Sequence, residues 1–113
     1  LIDFWQGRCA VTGLDVVPLL RASHIKPWAV CASNEERLDV FNGLLLAPHL
    51  DVLFDGGWIT FADDGGMLVS GALGADARNK LDLGSWTGLA YVSEGHGPYL
   101  EYHRKSVFKC SYS

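Results

Sequence analysis

The stretch from Phe41 to Ser70 constrains the fold most, because its own punctuation leaves each element little freedom. The apolar run Leu44-Leu45-Leu46 gives way to Ala47-Pro48, and proline suits the first turn of a helix, where its missing N–H has no partner to lose. A helix is therefore expected from about Pro48 to Phe54, with Gly56-Gly57 as its stop signal. Directly afterwards, residues 58–61 (WITF) and 67–70 (MLVS) alternate with the period of a strand and flank the polar turn Asp63-Asp64-Gly65-Gly66. That is the clearest hairpin in the chain. A helix and a hairpin in direct succession make an α+β domain.

Upstream, residues 8–13 (RCAVTG) read as a short strand ending at a glycine turn, and residues 16–25 (VVPLLRASHI) as a second extended stretch. The two are expected to pair as a hairpin, with Pro18 at an edge or bulge because it cannot donate to a ladder. Ser33, followed by Glu36 three residues on, marks the start of a short helix over 33–40 that Asn42-Gly43 breaks. Residues 72–97 are rich in Gly and Ala and show no period, whereas 98–109 (PYLEYHRKSVFK) read as a terminal helix opening at Pro98. The whole chain, residues 1–113, falls within the size of one domain. Because it opens on Leu1 and at once brings in Ile2, Phe4 and Trp5, it reads as the C-terminal piece of a longer protein.

Composition narrows the class. With 49% hydrophobic and 19% charged residues the chain should fold rather than stay disordered. No apolar stretch approaches the roughly 20 residues that cross a bilayer, so no membrane partner is expected, and no signal peptide is visible. Cys9, Cys31 and Cys110 lack the paired C-x-x-C spacing of a zinc knuckle and read as reduced structural thiols of a cytoplasmic protein. A net charge of −4 weighs against nucleic-acid binding, which usually shows as a surplus of Lys and Arg.

Chemistry-bearing residues fall in a definite order: His24 on the extended stretch, Asn42 in a turn, then a helix with His49, Asp51 and Asp55. Asp51 and Asp55, four apart, project from one helix face and can share a hard divalent cation. The residues alone also allow an ordinary solvated face for that pair, a core or surface histidine at 24, and a plain turn at Asn42. Trp5, Trp28, Trp58 and Trp86 read as core, His96 as a loop residue, and His103 as part of a basic solvated helix face.

Three segments together go further. Ala22-Ser23-His24-Ile25-Lys26-Pro27, Asn42-Gly43-Leu44-Leu45-Leu46 and Leu53-Phe54-Asp55-Gly56-Gly57 resemble, in order and spacing, the A-[AS]-H-I-x-P and N-G-[LI]-x-L…L-F-D motifs of one branch of the HNH endonucleases. CAVTG at 9–13 and the 58–61 strand also fit that branch, so the resemblance covers residue 9 to about residue 70, with a weaker echo over residues 99–104. It implies a ββα-metal unit extended by a β-hairpin and a C-terminal helix, and an activity of metal-dependent DNA hydrolysis in a restriction or host-defence setting. His24 is similar to the general base, and Asn42 to the residue that fixes the loop behind the base or touches the metal.

Counting nine residues from Asn42, the family's common spacing, reaches Asp51, which the resemblance makes a metal ligand with Asp55 one turn later. His49, seven residues from Asn42, is a further metal or substrate candidate. Ser23 stands where many relatives carry an Asp or His ligand, which implies a loosely held Mg²⁺ or Mn²⁺ with oxygen donors. Arg21, Lys26, Arg104 and Lys105 are the DNA-contact candidates, and duplex DNA is the expected partner. One small site cuts one strand at a time, so a homodimer is also expected. The His24 ring and the two carboxylates are expected to meet in one cleft. The rival reading is a non-catalytic nucleic-acid or protein interaction module on the same fold; a hydrolase of another phosphoester is a second.

Overall fold

The computed structural model describes residues 1–109, so Cys110 lies outside the described residues. Strand β1 (Arg21–His24) is followed by the short helix α1 (Asn34–Leu38) and strand β2 (Gly43–Leu46). β1 and β2 pair antiparallel, with Arg21 opposite Leu46 and His24 opposite Gly43. Helix α2 (Pro48–Asp55) leaves β2 after one residue and packs back on β1. These three elements are a ββα unit, with α1 carried in the loop between its strands.

β2 pairs with β1 and not, as the sequence suggested, the segment 8–13 with 16–25. Residues 9–14 instead close on themselves: the Cys9 amide donates to the Leu14 carbonyl at 2.8 Å, the Gly13 amide to the Cys9 carbonyl at 3.0 Å, and Gly13 sits at φ +76°. Val17–Leu19 is a 3-10 turn with proline in its first turn. Pro18 has no N–H for a ladder but fits the opening of a helical turn, which is why the extended stretch begins only at Arg21. Leu44, Leu45 and Leu46 are all buried, so β2 must be covered on both faces. The N-terminal segment supplies part of that cover: the Ala10 amide donates to the Leu45 carbonyl at 2.7 Å, and the Trp5 indole to the Gly43 carbonyl at 3.3 Å.

The helix-start signal at Ser33 holds. Its hydroxyl accepts the Glu36 amide at 3.2 Å, and α1 ends at Leu38, shorter than the expected 33–40. In α2, Leu50, Leu53 and Phe54 are buried, each contributing roughly 1.5–3 kcal/mol of burial. The helix stops where Gly57 adopts φ +77°, and a side chain there would also run into the Val107 carbonyl at 2.1 Å. Both demands select glycine.

The second hairpin joins β3 (Ile59–Phe61) to β4 (Met67–Val69), Ile59 opposite Val69. Helix α3 (Ala75–Lys80) occupies part of the stretch that showed no sequence period, and α4 (Gly97–Ser106) is the expected terminal helix. α4 is fastened by His103, which is buried and not part of a solvated face. Its Nε2 donates to the Phe54 carbonyl at 2.8 Å, so Nδ1 accepts from the Thr60 hydroxyl at 2.7 Å, and its ring stacks on Phe54 at 3.8 Å. His96 is buried too, with its Nδ1 accepting the Ser93 amide at 2.9 Å among the rings of Phe4, Trp5 and Phe41. Of the four tryptophans only Trp5 is fully buried, whereas Trp28 is 54% exposed.

Cys9 and Cys31 are free, buried thiols with structural partners. The Cys9 sulfur accepts the amides of Thr12 and Ala47, and the Cys31 thiol donates to the carbonyls of Lys26 and Pro27.

Candidate active site

His24 is the last residue of β1, half-buried, with its ring held from behind. Nε2 lies 3.0 Å from the Arg37 main-chain carbonyl. A carbonyl can only accept, so Nε2 carries the proton and the lone pair of the neutral imidazole is on Nδ1. The Trp28 ring stands edge-on to the imidazole at 5.4 Å. A cavity of about 220 Å³ opens beside it, lined among others by Ala22, Ser23, His24, Leu38 and Asn42.

Asn42 sits wholly buried at the foot of the same loop. Its Oδ1 accepts the Lys26 amide at 2.7 Å, and its Nδ2 donates to the Glu36 carbonyl at 3.0 Å. The side-chain amide is thereby spent on the loop. Two successive carbonyls at the C-terminal end of α1 thus point inward, Glu36 to Asn42 and Arg37 to His24. A helix leaves its last carbonyls without intrahelical partners, and here those orphans hold the two residues the sequence picked out.

Asp51 is half-buried on α2 and Asp55 is exposed one turn later. Burial raises the Asp51 carboxyl above the usual carboxylate range. The nearby Ser23 hydroxyl and the more distant Arg21 charge oppose this, and the charge of Asp55 adds to it. Ser23 is 4% exposed, and its Oγ makes no hydrogen bond of ordinary distance and angle despite lying close to Asp51. Asp51, Asp55 and Arg21 therefore share one charged edge that meets β1 at Ser23, the residue before His24. Among the described residues no hydrogen bond or ion pair joins the His24 ring to either carboxylate.

Whether these residues suit a divalent cation can be judged from the donor set. Asp51, whose proton affinity burial and the charge of Asp55 raise, forms with Asp55 and the buried Ser23 hydroxyl an all-oxygen group that a hard cation would relieve. Among the described residues no three His, Cys, Asp or Glu side chains cluster at metal-binding distance. The group fits an open, water-rich Mg²⁺ or Mn²⁺ site and not a closed zinc site.

The remaining sequence candidates are placed as follows. His49 is exposed in the first turn of α2, and its ring makes no hydrogen bond among the described residues. Lys26 pairs with Glu36 at 3.0 Å and lies over the Tyr102 ring. Arg104 bonds the Phe61 carbonyl and Asp63, and Lys105 pairs with Glu101 at 2.6 Å. Only Arg21 of these four basic residues is exposed without an ion pair among the described residues. Sequence reasoning overlooked Arg37 and the exposed ring of Trp28. A main-chain carbonyl leaves no trace in residue types, so nothing in the sequence marked Arg37.

Comparison with known proteins agrees with the ββα fold. Residues 9–62 match the family model of the HNH endonucleases. A solved structure described as a modification dependent TagI restriction endonuclease is similar at 27% identity and a TM-score of 0.57, over 94% of this chain and 35% of that one. The present chain thus spans little more than a third of that protein. No curated protein matches the chain. Residues 9–62 hold β1, β2, α2 and all of His24, Asn42, Asp51 and Asp55, so over that stretch the chain is similar to the HNH endonucleases.

Proposed function

We propose that this chain is a nuclease unit that hydrolyses phosphodiester bonds of duplex DNA, with His24 as general base. The observation that carries this reading is the hydrogen bond from His24 Nε2 to the Arg37 carbonyl. It assigns the ring's lone pair to Nδ1 and fixes the ring's orientation, which is what abstraction of a proton from water asks of an imidazole. Asn42 acts behind the base, by holding the Lys26 amide and the Glu36 carbonyl.

Asp51 and Asp55 would hold the divalent cation, with Ser23 beside them. Bound there, the ion would offset charge on the phosphoryl oxygens and on the departing 3′ oxygen. Arg21, exposed on the same strand as the base, would meet a neighbouring phosphate. The similarity to a restriction endonuclease supports a restriction-related setting, in which two copies would cut the two strands.

A supercoiled-plasmid assay tests the reading. Conversion to nicked circles with Mg²⁺ or Mn²⁺, stopped by EDTA, is the expected result. DNA binding without cleavage under those conditions would favour the rival, a non-catalytic interaction module.

A further inference from the structure

Arg37, which the sequence did not single out, makes a set of polar contacts around His24 that Asn42 does not duplicate. Its Nε donates to the Trp28 carbonyl at 3.1 Å, Nη1 to Asn34 Oδ1 at 3.1 Å and Nη2 to the Cys31 carbonyl at 3.2 Å. The guanidinium carbon lies 5.2 Å from the centroid of the Trp28 ring. The residue's own carbonyl takes the His24 Nε2 proton. One side chain therefore ties two points of the loop between β1 and α1 and the first residue of α1, while the carbonyl of the same residue meets the imidazole.

The geometry points to Arg37 as a positioning residue for the proposed reaction: its side chain clamps the loop so that its carbonyl holds His24 as the Nε2–H tautomer. This rests on the reading of His24 as general base. A guanidinium suits the role because its planar fork can donate in several fixed directions at once, and a lysine ammonium cannot reproduce that pattern. Trp28 takes part as well. With Arg37 over the ring, the indole is set edge-on to His24 and walls one side of it. α1 is only five residues long and has no buried residue of its own, so side-chain ties rather than packing fix it, those of Glu36 and Ser33 on one side and those of Arg37 at the residue whose carbonyl His24 uses.

The inference stands apart from the contribution of Asn42. That amide pins the Glu36 carbonyl and the Lys26 amide, one residue short of the carbonyl that His24 uses. Loss of Arg37 would leave Asn42 bonded and the loop attached at its base, while removing the ties from the Trp28 and Cys31 carbonyls and the Asn34 side chain to the residue whose carbonyl His24 uses. A misplacement of the base by about 1 Å costs up to roughly a hundredfold in rate, and a second tautomer would add to that loss by covering Nδ1 with a proton.

The test follows the imidazole directly, in the whole chain, by two-bond ¹H–¹⁵N correlation of the His24 ring in wild type, Arg37→Ala and Arg37→Lys. The wild type should show Nε2–H. Both variants should show an admixture of Nδ1–H, with kcat for plasmid nicking down roughly ten- to hundredfold and KM little changed, the lysine variant losing less. An unchanged tautomer in a folded Arg37→Ala would overturn the inference, as would a loss taken wholly by KM. Should Arg37→Ala not fold, the same ring signals in Arg37→Lys decide the matter. Because the tautomer is read without substrate, a protein that holds Nε2–H through Arg37 but cleaves no DNA would sink the nuclease reading and leave the clamp standing. Cleavage with an Arg37-independent tautomer would do the reverse.

Discussion

Replacing Asn42 by alanine should destabilise this domain far more than its size suggests. The side chain is wholly buried and makes two good hydrogen bonds, with the Lys26 amide at 2.7 Å and the Glu36 carbonyl at 3.0 Å. Its Nδ2 also lies 3.4 Å from the Lys26 carbonyl and 3.5 Å from the Cys31 sulfur. Truncation leaves a half-buried main-chain donor and a half-buried acceptor without their partner, each at about 1–3 kcal/mol. The Glu36 carbonyl keeps a long contact with the Asp39 amide at 3.4 Å, so its penalty belongs at the low end. The loss should come to about 2–4 kcal/mol, a large share of the roughly 5–15 kcal/mol that holds a domain together. Urea unfolding of wild type and Asn42→Ala, followed by tryptophan fluorescence, would measure it. Asn42→Asp should be no better, since it keeps the acceptor for Lys26 but sets a second oxygen against the Glu36 carbonyl. A loss below about 1 kcal/mol in Asn42→Ala would mean that the amide does not pin the loop.

Three further outcomes follow from the same geometry. Asp55→Asn should raise the Mg²⁺ concentration at half-maximal nicking while moving the urea midpoint little, because it removes an exposed ligand and relieves the repulsion felt by Asp51; an unchanged Mg²⁺ dependence would remove Asp55 from the site. Ser23→Ala should leave folding stability unchanged or higher, since the buried hydroxyl has no hydrogen-bond partner to lose, and a marked loss in thermal melting would show a partner after all. His96 and His103 are both held below the ordinary histidine value, chiefly by burial. The unfolded chain then binds more protons than the folded one, so stability is full above about pH 7 and falls progressively as pH drops below about 6.5 toward the lower folded values. Urea midpoints taken from pH 7.5 to 5.5 should fall, and a flat profile would contradict the burial of both rings.

What the sequence disclosed was local. Pro48 and Gly56-Gly57 bracket α2 to within a residue, the polar turn after Phe61 places β3 against β4, and Ser33 caps α1. The pairing of β1 was hidden because its partner comes 19 residues after His24, beyond a helix, and nothing local says that β2 needs cover on both faces. The histidines behave the same way. The motif picks out His24, but His103 among Arg104 and Lys105 looks solvated until α4 is packed on Phe54 and Thr60. At the site, side-chain identities marked His24, Asn42, Asp51 and Asp55. The carbonyl behind His24 belongs to the backbone of a folded turn, and only the three-dimensional arrangement reveals it.

The central claim is that His24 removes the proton from the attacking water. The most direct measurement is the single-turnover rate of plasmid nicking by wild type and His24→Ala at saturating Mg²⁺, with DNA affinity determined in parallel by filter binding in Ca²⁺. A general base contributes roughly 10²–10⁴-fold, so the account predicts a fall of that size in rate with DNA affinity and urea midpoint unchanged. A His24→Ala protein that nicks at the wild-type rate would contradict it.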